Sequence, residues 1–482
     1  MEKRLFTAFL ITILFFVFWS YFGPKPVIQP TETQQDKEIY SEKAPLRPSL
    51  PQVKSLQPMK IEAEVEELPF TVIGNFIVTY SSTGGYIKKI AIGTEENELP
   101  FQNIGFLLQD ENTKYKTQLS GNKIGFTAPG GKKKEFIFGD NTLEINLKAP
   151  GSSPMVLFSN YLRPSMIDQR YQEVFYFQED ILKRFATKKV KEGTYGNIEF
   201  AGARDRYYCF SLFKGSYDIE VTKDKDASHV YITSVPSQIM LYIGPQSVKQ
   251  LKPYGLGNIV YYGFFHWISI GMIKLLHLLF SLTKNWGLSI ICFAISIYFL
   301  LFPFTSKSTK AMQRMQQIQP EINELRDKYK DNPQKMQKET IELYRKYKIN
   351  PLGGCLPLLF QFPIFIALYQ VLFRIVELKG ARFLWINDLS LPDHFLKLPT
   401  TPPFYINLLP ILIVIIGLAQ QKMTMTASSG SSQQKSMGLF FAVFIGVIFY
   451  GFPSALVLYW FVQNILTFIY QVRTSKIQSA HS

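Results

Sequence analysis

Six stretches of this sequence are too apolar and too long to be loops or ordinary strands of a water-soluble fold: Leu5–Phe22, Trp286–Phe304, Leu356–Val376, Phe404–Ala419, Met437–Phe452 and Ala455–Tyr470. Each approaches the ~20 apolar residues that a helix needs to cross ~30 Å of hydrocarbon. A chain in lipid must satisfy its own backbone hydrogen bonds, so such runs are expected to be helices. The 47% of hydrophobic residues is therefore clustered, with one run at the N-terminus and five after residue 285.

Charge placement orients these runs. A net charge of +15 could signal nucleic acid or an anionic membrane surface. The basic residues lie beside the apolar runs: Lys3 and Arg4 before the first, Lys307 to Lys348 after the second, Lys422–Lys435 between the fourth and fifth, and Arg473 with Lys476 after the last. The positive-inside rule then predicts six transmembrane helices with both termini in the cytoplasm. No small-residue cleavage site lies within Trp19–Pro24, so residues 1–22 read as an uncleaved anchor rather than a removed leader. The segment behind the anchor is translocated.

Residues 23–60 carry seven prolines among Gln, Glu, Lys and Ser, and read as a linker without a core. Residues 61–255 read as short strands and glycine turns, among them Phe70–Tyr80, Gly84-Gly85, Tyr86–Ile92 and a hairpin through Gly130-Gly131, which suggest a periplasmic β-sandwich-like domain. Tyr261–Ser281 is long enough to span. Its polar residues Lys274, His277 and Ser281 share one helical face, and a span here would put the next basic stretch outside. Residues 256–284 are therefore expected to lie flat as an amphipathic interfacial helix.

Residues 305–350 read as a cytoplasmic helical hairpin within a five-helix core at 285–472, followed by a tail at 473–482. Met315, Ile318, Ile322, Leu325 and Tyr329 form a heptad stripe that Pro320 should kink, and Met336, Thr340, Leu343 and Tyr347 form its partner. Asn332-Pro333 supplies an N-cap and a first-turn proline for the second helix. Cys209, Cys292, Cys355 and the five histidines form no disulfide, metal or cofactor pattern, and nothing reads as a catalytic constellation. A transporter would show internal repeats and intramembrane charges. A glycan enzyme would need paired carboxylates in the β-domain.

Three segments carry a family resemblance: Asn350-Pro351-Leu352-Gly353-Gly354-Cys355-Leu356-Pro357 with Gln361-Phe362-Pro363 behind it; Asn285-Trp286-Gly287 opening a span that ends in Pro303; and Phe452-Pro453-Ser454-Ala455-Leu456 through Tyr459-Trp460 to Gln463-Asn464. In this order, with the charged hairpin between them, the chain resembles the YidC insertases of Gram-negative inner membranes. The resemblance implies a non-enzymatic insertase and chaperone, working alone or with the Sec translocon. Five spans would enclose a hydrophilic groove open to cytoplasm and lipid. Nascent membrane proteins would be the partners, with membrane lipids around the chain and a ribosome or signal-recognition receptor at the hairpin; no sequence-specific nucleic acid is expected.

By position in the family, Tyr298, Gln361, Gln421, Asn464 and Thr467 would face the groove, although helix–helix bonding is the competing role for such side chains. Ile322, Leu325, Asn332 and Pro333 would build the hairpin, and Asn350, Pro351, Gly353 and Gly354 the membrane entry. The family's groove arginine, five residues before the span-ending proline, is replaced here by Tyr298. Arg374, on the opposite side of its helix from Gln361, is expected to snorkel at the outer end.

Overall fold

The computed structural model describes residues 68–94, 97–148, 153–161, 171–225, 227–330, 332–347, 349, 356–400, 404–426 and 432–479. The anchor at 1–22, the linker at 23–60, and Asn350, Pro351, Gly353 and Gly354 lie outside them. The chain forms two compact units, one whose described part is the charged hairpin and one holding the β-domain with the other helices.

Two antiparallel nine-stranded sheets make the β-domain. The central strands of the first are Glu98–Ile104, Met155–Tyr161 and Ala227–Ile232; those of the second are Tyr208–Phe213, Gln238–Pro245 and Thr142–Lys148. Alternation decides which side chains meet. In Lys133–Phe138 every second residue is buried, as in Thr142–Lys148. Phe101 and Phe158 of one sheet meet Phe210 of the other, with ring centroids 5.7 and 5.4 Å apart. The expected single strand at Phe70–Tyr80 is two, Phe70–Ile73 and Phe76–Ser81, because Gly74 takes a left-handed φ of 57° and turns the chain.

Eight helices follow among the described residues: α1 His266–Thr283, α2 Trp286–Gln317, α3 Gln319–Lys328, α4 Pro333–Lys346, α5 Leu356–Arg374, α6 Leu408–Thr426, α7 Ser432–Phe449 and α8 Ser454–Ser479. By length and composition α1, α2 and α8 can each cross a membrane. Lys274, His277 and Ser281 are exposed on α1, while Ser269, Met272 and Leu276 are buried. The fourth apolar run begins as a short strand, Phe404–Ile406, paired with Leu396–Leu398, and turns helical only at Leu408.

In the hairpin, Asn332 Oδ1 accepts from Lys335 N at 3.1 Å and Pro333 occupies the first turn of α4. Ile322 and Leu325 are half-buried, and Tyr347 Oη bonds Glu321 Oε1. Pro320 does not kink a continuous helix. It sits in the first turn of α3, after Ile318 has left helical geometry, where a missing N–H costs nothing.

The β-domain is not isolated from the helices. Phe175, Phe213 and Tyr242 of its second sheet share a core with Leu256, Ile259 and Tyr262 of the connecting segment, against which Ile270 and Ile273 of α1 pack. Arg206, buried at 6% exposure, donates from Nε to Phe373 O (2.6 Å) and from Nη2 to Ser390 O (3.2 Å), with its guanidinium 3.7 Å above the Phe373 ring. A buried arginine thus caps the carbonyl end of α5 from the β-domain.

Candidate functional site: a polar seam in the looser half of the helix bundle

The bundle is tight at the end joined to the β-domain, and the family motifs show why. Asn285 Oδ1 accepts from Leu288 N (3.0 Å), capping α2; Trp286 stacks on Phe280 at 4.1 Å. Gly287 lies under Phe383, where an added Cβ would stand 2.0 Å from the ring, so only glycine fits. Asp393, 3% exposed, accepts through Oδ2 from Leu408 N (2.8 Å), Leu409 N (2.9 Å) and Trp385 Nε1 (3.2 Å). That carboxylate satisfies the free amides at the start of α6 and faces the positive end of its dipole. Ser454 N donates to Leu391 O (2.7 Å) and Ala455 N to Leu389 O (3.0 Å), so the same loop closes the start of α8.

Beyond this end the packing loosens. In α8, residues 454–459 are all buried, whereas none from Trp460 to Thr474 is. In α5 none of residues 361–366 is buried and the buried residues of the described part begin at Ala367, and in α6 none follows Ile413 through Lys422. In α2 none lies between Tyr298 and Ser308.

The polar residues expected at a groove gather at and beyond this boundary, with α8 as their hub. Gln361 Nε2 donates to Tyr459 Oη (3.3 Å), joining α5 to α8. Tyr298 Oη donates to Leu466 O (3.3 Å), joining α2 to α8. Asn464 and Thr467 donate to Trp460 O and Gln463 O of their own helix. Gln421 is half-buried on α6 at the same level. Two further partners escaped the sequence reading: Gln463 Nε2 donates to Ala294 O (2.8 Å), and Gln420 Nε2 to Asn464 O (3.0 Å). The signal for Gln463 was its helical spacing, one turn from Tyr459 and from Thr467 on one face. These amides do bond helices together. They are nevertheless half-buried, while Tyr298 and Tyr459 are buried, so the seam is sealed at its tyrosines and open at its amides.

Arg374 does not snorkel. It turns toward the β-domain, donates from Nη1 to Tyr261 O and lies 5.2 Å from the Tyr171 ring centroid. Its helix ends there, and the nearest acceptors belong to the connecting segment.

One arrangement in the β-domain resembles hydrolytic machinery. Ser159 Oγ is 2.8 Å from His229 Nδ1, and His229 Nε2 is 3.1 Å from Asp224 Oδ2. Ser159 is fully buried and bonded to Asn103 Nδ2 (3.4 Å), so no substrate carbonyl reaches its hydroxyl. The chain of bonds ties three neighbouring strands instead. Among the described residues no three His, Cys, Asp or Glu side chains gather as metal ligands.

Comparison with known proteins shows the family of the chain. Residues 278–481 match the family described as 60Kd inner membrane protein. A membrane protein insertase YidC from Pelobacter propionicus is 30% identical over 99% of this chain and 99% of its own. Another, from Syntrophobacter fumaroxidans, is 41% identical over 48% of this chain and 43% of its own. A crystal structure of an active YidC insertase with its first transmembrane domain resolved aligns over 84% of this chain and 92% of its own, at 18% identity and a TM-score of 0.45. With identity extending from end to end of a full-length relative, the chain belongs to the YidC membrane protein insertase family of the inner membrane.

Proposed function

We propose that this chain inserts integral membrane proteins by receiving a substrate's polar tail in the seam between α2, α5, α6 and α8. The observation that carries the reading is the division of the bundle: α8 is buried through Tyr459 and half-open from Trp460 onward, and the polar side chains stand where it opens. Moving a polar tail through hydrocarbon is costly because its charges and backbone groups lose water. A polar seam that reaches partway across shortens the dry path. The tight half keeps the other side closed, and the substrate's apolar helix entering lipid supplies the driving force. No bond is made or broken.

In this reading the β-domain is periplasmic, the hairpin and both termini are cytoplasmic, and six helices span, with α1 lying in the interface. The placement of basic residues supports that topology. Nascent membrane proteins are the substrates and the Sec translocon is a partner; a ribosome or signal-recognition receptor would meet the hairpin.

Purified protein in liposomes tests the function: a small single-span substrate should gain protease protection, while solute flux and glycan turnover stay at background. Absence of protection would refute insertion. Topology is tested with single cysteines at exposed positions, Lys328→Cys labelled from the cytoplasm and Lys397→Cys from the periplasm. Labelling of both from one side would overturn the six-span arrangement. Replacing Ile322 and Leu325 with Asp should impair insertion while the protein remains in the membrane; full activity would make the hairpin a passive loop.

A further inference from the structure

Three arginines converge where the β-domain meets the helices. Arg184 Nη2 donates to Asn258 O (2.6 Å) and Ile259 O (3.0 Å), and Arg204 Nη1 donates to the same Ile259 O at 2.9 Å. Arg184 also lies 5.2 Å from the ring centroid of Tyr261, whose carbonyl accepts from Arg374. Among the described residues the one carboxylate bonded to the three is Glu173, which is taken by Nε and Nη2 of Arg204. Arg184 and Arg374 thus have carbonyls and ring faces as partners but no ion pair. The Nε of each is buried with no hydrogen-bond partner.

Such an arrangement is unfavourable as it stands. A buried donor without an acceptor loses its water and gains nothing, and like charges in a poorly solvated corner repel. Burial and then the neighbouring Arg204 pull the Arg184 guanidinium down to about 10. Both residues are half-buried as a whole while their Nε atoms are sealed, so an anion would meet the outer edge of the pair rather than Nε. Guanidinium forks match phosphate oxygens in pairs.

The surroundings say where that anion comes from. The chain leaves Tyr261 directly into α1, and beside it Phe264 and Trp267 are 84% and 76% exposed. Exposed aromatic residues at the start of an apolar helix mark the headgroup level of a bilayer. We propose that Arg184 and Arg374 form a binding site for the phosphate of an anionic phospholipid headgroup in the leaflet on the β-domain side. The bound phosphate would fasten the connecting segment, α1 and the end of α5 to the membrane surface as one corner.

The test uses the full-length protein in neutral detergent, titrated with dioleoylphosphatidylglycerol and, separately, with inorganic phosphate, with retained lipid read by native mass spectrometry. Phosphatidylglycerol should bind, and Arg184→Gln and Arg374→Gln should each weaken it about tenfold, the effect of one charge-assisted contact. Arg184→Lys, which keeps the charge but not the fork, should bind between the unmodified protein and Arg184→Gln, which separates loss of charge from loss of fold. Competition by millimolar inorganic phosphate would support the phosphate chemistry and identify the free ion as a second source. Equal lipid binding by both glutamine variants would overturn the site. So would an acidic peptide tail binding there in a charge-dependent way while phosphatidylglycerol does not.

Discussion

The two ends of one helix bundle solve opposite problems. At the β-domain end, α2, α5, α6 and α8 are closed by a loop that caps the starts of α6 and α8, by Gly287 under Phe383, and by an arginine reaching down from the β-domain to the end of α5. At the other end the same helices keep amides and hydroxyls half-exposed along α8. A bundle that only had to be stable would bury both ends alike. Rigidity at one end is what lets polar side chains at the other stay open without the helices collapsing onto them.

Substitutions can break or sharpen that contrast. The largest effect is expected from Gly287→Leu, because the new side chain would occupy the Phe383 ring. Overpacking of this kind costs ~1–3 kcal/mol or more, and the protein should fail to accumulate in the membrane. In the looser half, Gly417 has only Ala442 Cβ at 3.4 Å, so Gly417→Ala should accumulate normally. Equal yields for the two variants would erase the difference between the ends.

Arg206→Ala comes next. It removes charge-assisted bonds to Phe373 O and Ser390 O, worth roughly 1.5–3 kcal/mol each. Thermal unfolding should begin earlier and insertion should fall, even though Arg206 holds the opposite end of α5 from Gln361. An unchanged melting profile would mean that the β-domain rests on the bundle without holding it, and would make the domain dispensable.

Smaller changes are expected in the seam. Gln463→Leu deletes the bond to Ala294 O, and interhelical hydrogen bonds in membranes average ~0.6 kcal/mol. Stability should therefore shift little while protease protection of a polar-tailed substrate drops severalfold. A large stability loss with normal insertion per folded molecule would make Gln463 purely structural. Smallest of all, Tyr298→Phe loses one hydroxyl bond to Leu466 O and should lower insertion modestly, with Tyr298→Leu lower still. Tyr298→Arg should be tolerated and should raise the preference for acidic tails. A strong acidic preference in the unmodified protein would show that another cation already supplies that attraction.

The capping role of Asn332 was legible from residue type alone, because capping is a local property. Tyr298, Gln361, Gln421, Asn464 and Thr467 were named as groove candidates by their positions in the family, and the structure brings Tyr298 and Gln361 against α8, which carries Asn464 and Thr467. Gln420 was missed because Gln420 and Gln421 adjoin in sequence and only packing selects which one donates to α8. Arg206 was missed because nothing in a strand-rich stretch distinguishes a surface arginine from one that caps a helix more than 160 residues later. Arg374 was misread for the same reason: its helix position suggested lipid, and its partners come from the β-domain.

The sequence by itself located the apolar runs within which α2, α5, α6, α7 and α8 form and, through its basic residues, set which way they are expected to run, because transfer from water to hydrocarbon acts on each segment separately. Only the tertiary structure decided that Phe383 sits on Gly287, that Asp393 caps α6 and that the β-domain grips α5. Those contacts join residues distant in the chain, and their strength depends on burial and geometry that no local pattern encodes.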